Sequence, residues 1–279
     1  MKKIAKSLII NRVAQMCQEA NFVLNDDIKK ALLRARKEES SEMGKNIFQQ
    51  LIDNYQLAEK KKVPICQDTG YTVIFVELGE DVKVEGNLQE ALFEGVKKGY
   101  KEGYLRKSIV KDPFNRENTS DNTPPVIHTE IVSGNKLKLY LMAKGGGSEN
   151  MSKIKMLSPA QGQEGVIDFV VDTVRRADAN PCPPVIVGVG LGGTFEKAAL
   201  LSKKALLRDL DDAHSDPKTA KLEKKILNKI NKLGIGPQGL GGTRTALGVK
   251  IEKYPCHIAS LPAAVNINCH AARHKKAVL

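Results

Sequence analysis

The 279-residue chain has no tryptophan, and its aromatic residues make up only 5% of the total. A platform that stacks the bases of single-stranded nucleic acid is therefore poorly supplied. Long apolar runs are also missing. Nowhere does the sequence approach the roughly 18–20 consecutive apolar residues of a membrane-spanning helix. Met1-Lys2-Lys3 looks like the start of an export signal, but Asn11 and Arg12 interrupt the apolar run after Leu8-Ile9-Ile10. A cytoplasmic location is the expectation. Cysteine is scarce: Cys17, Cys66, Cys182, Cys256 and Cys269 are odd in number and widely spaced. That argues against a disulfide framework and leaves structural thiols, a catalytic thiolate or cluster ligands.

Acidic residues are the minority, 32 against 44 lysines and arginines, for a net charge of +12. The excess is spread over short runs such as Lys60-Lys61-Lys62 and Lys275-Lys276. Without a clustered stripe or a motif, nucleic-acid binding is not expected. Solvated helix faces explain most of the charge. The functional alternative is a field that draws in anionic small molecules or an acidic partner subunit. The rest of the composition is that of a globular protein, 41% hydrophobic and 27% charged. Global disorder is excluded, and there is material for one large core or two smaller ones.

The pattern along the chain predicts a mixed α/β fold, treated as a single catalytic domain over residues 1–279. Residues 1–62 form a helical N-terminal part, with Ile4, Leu8, Val13, Met16 and Cys17 on the first helix face. Residues 63–279 form an α/β body with Gly-rich and Cys-bearing loops. Residues 71–78 (YTVIFVEL) read as a strand. Residues 88–100 read as a helix, and 108–125 as a long loop. Residues 126–132 and 136–143 read as a hairpin around Ser133-Gly134-Asn135. Helices are expected over 159–176, 195–210 and 219–233, and strands over 184–190 and 246–251.

Gly188-Val189-Gly190-Leu191-Gly192-Gly193 has the spacing of a dinucleotide fingerprint between a strand and a helix. It starts late in the chain, and no clear second strand follows its helix, so the nucleotide reading is disfavoured. Gly145-Gly146-Gly147 and Gly239-Leu240-Gly241-Gly242 sit beside polar residues instead. Glycines there either make simple turns or let a backbone approach a ligand and present N–H groups to an anion.

Cys66, Cys182 and Cys269 have proline, glycine or polar neighbours, whereas Cys17 sits on a helix face and Cys256 is ambiguous. Dispersed thiolates on loops suit an iron–sulfur centre, while the close cysteine pair usual for zinc is missing.

Five segments then occur in order: PICQDTG, KGGGSEN, NPCPPVIVGVGLGGT, GIGPQGLGGTRTALGVKIE and HIASLPAAVNINCHAARH. Together they resemble the alpha subunit of two-subunit, class I, iron–sulfur-dependent fumarate hydratases and L(+)-tartrate dehydratases, over nearly the whole chain. The resemblance implies a 4Fe-4S cluster held by Cys66, Cys182 and Cys269, with one iron open as a Lewis acid. It implies that Gln67 and Asp68 contact a small dicarboxylate substrate, with Asp68 also moving a proton. Arg106 matches a carboxylate-binding arginine, Gly145, Gly146 and Gly147 a loop at the substrate, and His257 a further contact. It also implies a beta subunit that completes the site and supplies the base, in a heterotetramer or similar assembly. Of the two reactions, hydration of fumarate to malate is the expectation, as the more general metabolic role. Tartrate dehydration is the alternative. A non-catalytic iron–sulfur sensor is the competing reading of another class.

Overall fold

The structure is a computed structural model and describes all 279 residues. The chain forms two compact units. The first comprises Met1–Asn25, Asn54–Gly146 and Arg273–Leu279, and the second Asp26–Asp53 and Gly147–Ala272. The class is mixed α/β with helices near the N-terminus, as the pattern predicts. No helix is long and apolar enough to cross a membrane.

In the first unit, strand β1 (Lys2–Ala5) precedes helix α1 (Lys6–Phe22). Ile4 therefore belongs to a strand and not to the helix face expected for it. The cause is tertiary: β1 pairs in parallel with β3 (Val82–Glu85), placing Ile4 opposite Val84. The helical pattern of residues 88–100 becomes α4 (Leu88–Glu102), which packs on α1. Its N-terminus is capped by Asn87, whose side chain accepts from the Glu90 amide at 3.1 Å. Such a cap is worth about 1 kcal/mol.

The main sheet of this unit has the order β10 (His274–Val278), β5 (Leu137–Lys144), β2 (Tyr71–Gly79), β4 (Val126–Val132). The expected hairpin of β4 with β5 does not form. The turn is there, but β2 lies between the two strands, parallel to β4 and antiparallel to β5. The connection crosses the end of β2, where a Cβ on Gly79 would sit 2.3 Å from the Gly134 carbonyl oxygen. Only glycine fits under that crossing. Leu137, Leu139 and Leu141 recur at the strand period and bury against Ile9, Val13, Met16, Leu92 and Val96. Each such side chain contributes about 1.5–3 kcal/mol.

In the second unit the sheet order is β6 (Lys153–Leu157), β9 (Leu261–Asn268), β7 (Val185–Gly192), β8 (Ala246–Tyr254). Every residue of β7 is buried, which suits its unbroken apolar run. Val187, Val189, Val265 and Ile267 pack with Val166, Ile167, Val170 and Val174 of α6 (Gly162–Ala177) and Ile226 and Ile230 of α8 (Pro217–Asn231). Helix α2 (Asp26–Glu38) and helix α7 (Phe195–Ala205) complete this unit, α7 ending earlier than its pattern predicts. Helix α3 (Glu42–Lys61) and the short α5 (Gly146–Glu149) carry the chain between the units.

Of the dinucleotide-like glycines, Gly188, Gly190 and Gly192 lie inside β7, and only Gly193 stands in the turn to α7. A Cβ at Gly188 or Gly190 would sit 2.1 Å or 2.0 Å from backbone oxygens of Ser202 and Ala198. These glycines let α7 lie against the strand.

Candidate active site

In the first unit the site starts from strand register. Tyr71 opens β2 directly opposite Lys144, the last residue of β5. The residues before β2 therefore meet those after β5, and Asp68 meets Gly146. One Asp68 carboxylate oxygen accepts from the Gly146 amide at 2.7 Å, the other from the Gly70 amide at 2.9 Å. Both oxygens are thus aimed by backbone donors, the arrangement that fixes a carboxylate in one orientation.

The turn at residues 66–70 is also held from behind. Tyr100 is buried, which pushes its phenol pKa up and keeps it a neutral donor. Its hydroxyl lies 2.7 Å from the Thr69 carbonyl and 3.0 Å from that of Gly70. Asn122 donates to the Gly70 carbonyl at 3.3 Å, and Arg273 donates to that of Asp68. The Thr69 hydroxyl donates to the Arg106 carbonyl at 2.7 Å, while the Arg106 side chain is exposed. Gln67 is exposed and accepts from the Cys66 thiol at 3.3 Å. The Asp68 amide donates to the Cys66 sulfur at 3.4 Å.

In the second unit, register again does the assembling. Asn268 pairs with Ile186, so Cys269 follows β9 just where the chain enters β7. Cys182 lies at that entry, and His270 approaches its carbonyl through both the backbone amide and ring Nδ1, the latter at 3.1 Å. Cys182 has φ of 54°, the left-handed region that few non-glycine residues adopt. Gln238, from the Gly-rich loop at residues 234–242, donates its side-chain amide to the Pro183 carbonyl at 2.7 Å. Gly147 borders the turn before Cys182, since a Cβ on it would lie 3.5 Å from the Asn180 carbonyl oxygen. Glu149 accepts from Lys203 and from Asn266 of β9.

Glu39, directly after α2, holds the far end of the same Gly-rich loop. Its carboxylate accepts from the amides of Ser40, Ser41, Thr243 and Arg244 and from the Thr243 hydroxyl. Burial pushes its carboxyl up, but the bonds from Ser41, Thr243 and Arg244 outweigh that and hold it below the ordinary value. His257 stands apart in an exposed loop, where its Nδ1 accepts from the Ala259 amide at 3.1 Å.

None of the five cysteines is in a disulfide. Cys17 is fully buried on α1, and burial pushes its thiol up, as for a structural residue. Cys66 and Cys269 are half-buried and Cys182 is exposed, all on loops, and the hydrogen bond from the Asp68 amide to the Cys66 sulfur is of the kind that supports a metal-bound thiolate. No group of three or more His, Cys, Asp or Glu side chains stands together as a ready site for a single metal ion. Each of the three thiols, Cys66 in the first unit and Cys182 and Cys269 in the second, suits an iron–sulfur ligand in chemistry and exposure.

Glu39, Tyr100 and Gln238 were not among the residues singled out from sequence. Their roles come from contacts remote along the chain, and a lone buried glutamate or tyrosine has no local signature.

A family model described as fumarate hydratase (fumerase) matches residues 10–278. A Methanocaldococcus jannaschii protein provisionally named L(+)-tartrate dehydratase subunit alpha is 44% identical over 268 residues, 94% of each chain. L(+)-tartrate dehydratase subunit alpha of Escherichia coli K12 is 35% identical over 285 residues, covering 98% of this chain and 92% of its own. The Shigella sonnei protein of that name matches to the same extent.

Proposed function

The chain belongs to the class I fumarate hydratase family as an alpha-type hydro-lyase subunit, and we propose that it dehydrates L(+)-tartrate to oxaloacetate together with a separate beta subunit. The observation that carries the choice of acid is the naming of the relatives. Those at 35–44% identity, matched over nearly their full length, are named for tartrate. That shifts the reading from fumarate, the expectation formed on metabolic generality. Fumarate hydration stays as the second reading, supported by the description of the family model.

Cys66, Cys182 and Cys269 would hold the 4Fe-4S cluster. Bound there, the group supplies Lewis acidity toward a substrate hydroxyl or carboxylate. Asp68, with both oxygens aimed by amides, takes or gives the proton at the departing hydroxyl. Arg106 presents an exposed guanidinium whose planar fork matches a substrate carboxylate. Gln67, Gly145, Gly146 and Gly147 line the substrate, and His257 adds a contact from its exposed loop. The beta subunit contributes the base that removes the carbon-bound proton.

The test is anaerobic reconstitution of the chain with iron, sulfide and the beta-type subunit. Oxaloacetate formation from L(+)-tartrate is followed beside fumarate formation from malate. Tartrate turnover that needs both chains and exceeds malate turnover is expected. Faster malate turnover would move the assignment to the second reading.

A further inference from the structure

We propose that Arg273 is a positioning residue for this reaction, fixing the Asp68–Gly146 contact from behind. The inference rests on the role proposed for Asp68. Arg273 is only 3% exposed, and its guanidinium donates to the Asp68 carbonyl and, at 3.1 Å, to the Asn21 side-chain oxygen. Its Nε is buried without a hydrogen-bond partner, and no carboxylate forms an ion pair with the guanidinium. A buried cation without a counter-charge is costly, and an apolar side chain of similar length would remove that cost. The charge costs stability, offset in part by the donors it gives the Asp68 carbonyl and the Asn21 oxygen, so stability alone does not account for an arginine at this place.

The geometry does. Asn21 is anchored by donating to the Cys17 carbonyl at 2.9 Å, and its own carbonyl accepts from the Ile65 amide at 2.9 Å. The turn at residues 66–70 is thus gripped at residue 65 by Asn21 and at residue 68 by Arg273. Holding the Asp68 carbonyl sets the peptide plane after it, and with it the direction of the Asp68 side chain. The Arg273 carbonyl meanwhile accepts from the Ala143 amide at 2.9 Å, three residues before Gly146. One residue therefore ties down both partners of the Asp68–Gly146 bond, its side chain holding the acid and its backbone the strand that carries the amide.

The experiment compares wild type, Arg273→Ala and Arg273→Lys in the reconstituted two-subunit enzyme. Iron and acid-labile sulfide are measured alongside, and hydrogen exchange at residues 66–70 is measured in the chain before reconstitution. Arg273→Ala should lower kcat about a hundredfold, the scale of a small misplacement of a reacting group, with KM changed little. Its iron content should match wild type, exchange at residues 66–70 should rise, and added guanidinium should restore part of kcat. Arg273→Lys, which keeps the charge and one donor, should fall between the two and decides the matter if Arg273→Ala does not fold. Wild-type kcat and exchange in Arg273→Lys and Arg273→Ala would overturn the proposal. So would loss of iron in step with loss of activity, which would make Arg273 a support of the cluster. If wild type turns over neither tartrate nor malate, the proposed function has failed. The exchange of residues 66–70 then still decides whether Arg273 holds the turn.

Discussion

Residues 66–70 and 254–260 both carry proposed site residues, yet they are held in opposite ways. In the first, the carbonyls of residues 68, 69 and 70 accept from Arg273, Tyr100 and Asn122, and the Asp68 carboxylate accepts two amides. In the second, Ile258 is 91% exposed, and the side-chain bonds of Cys256, His257 and Ser260 stay within the loop. A group that must meet a reacting atom at a fixed angle gains from the first arrangement, because orientation is set before substrate arrives. A group that only adds a contact can sit on the second. The contrast supports the proton-handling role proposed for Asp68 and a lesser one for His257.

The largest effect expected from this contrast is that of Asp68→Asn. The amide keeps the shape but cannot move the proton, so kcat should fall about 10²–10⁴-fold. Iron and sulfide content should stay at the wild-type level, which stopped-flow kinetics beside metal analysis would check. Next comes Tyr100→Phe, which leaves the Thr69 carbonyl without its donor in a buried setting. A loss of about 1–3 kcal/mol in unfolding free energy is expected by denaturant titration. Hydrogen exchange at residues 66–70 should rise with it, which would break the contrast between the two loops.

A third loop extends the comparison. Glu39 does for residues 242–244 what Tyr100 does for the first turn, but through a charge. Its carboxyl is held below the ordinary value of 4.5 by those amides. Its stabilising contribution is therefore complete above pH 4.5 and is lost as pH falls through the lowered native value. Glu39→Gln should flatten that acid limb in thermal-melt curves taken as a function of pH. Its loss of stability at neutral pH should be about 1–3 kcal/mol, because an amide group replaces an acceptor facing several donors. The smallest effect is that of His257→Ala, whose stability should stay within about 0.5 kcal/mol of wild type. Its KM should rise more than its kcat falls. A kcat loss as large as that of Asp68→Asn would reverse the ranking of the two loops.

Much of this was legible in the chain. The strands of residues 71–78 and 184–190 announce themselves by β-branched apolar runs, and three cysteines stand out by their polar and proline-rich neighbours. What failed did so for non-local reasons. Ser133-Gly134-Asn135 makes its turn, but no local signal says that β2 will stand between the strands it joins. The strand Lys153–Leu157 is short and at a sheet edge, and its only partner, Leu261–Val265 of β9, lies far along the chain. Ile4 entered a helix pattern because its partner Val84 lies far along the chain. Arg273 was visible beside Cys269, but its grip on Asp68 depends on the fold bringing residues 68 and 273 together.

The most direct measurement is iron and acid-labile sulfide per chain after anaerobic reconstitution, in wild type and in single Cys→Ser variants at all five positions. Cluster-level iron is expected in wild type, Cys17→Ser and Cys256→Ser, and its loss in Cys66→Ser, Cys182→Ser and Cys269→Ser. A wild-type chain that takes up no iron, or a cluster that survives replacement of Cys66, Cys182 or Cys269, would contradict this expectation.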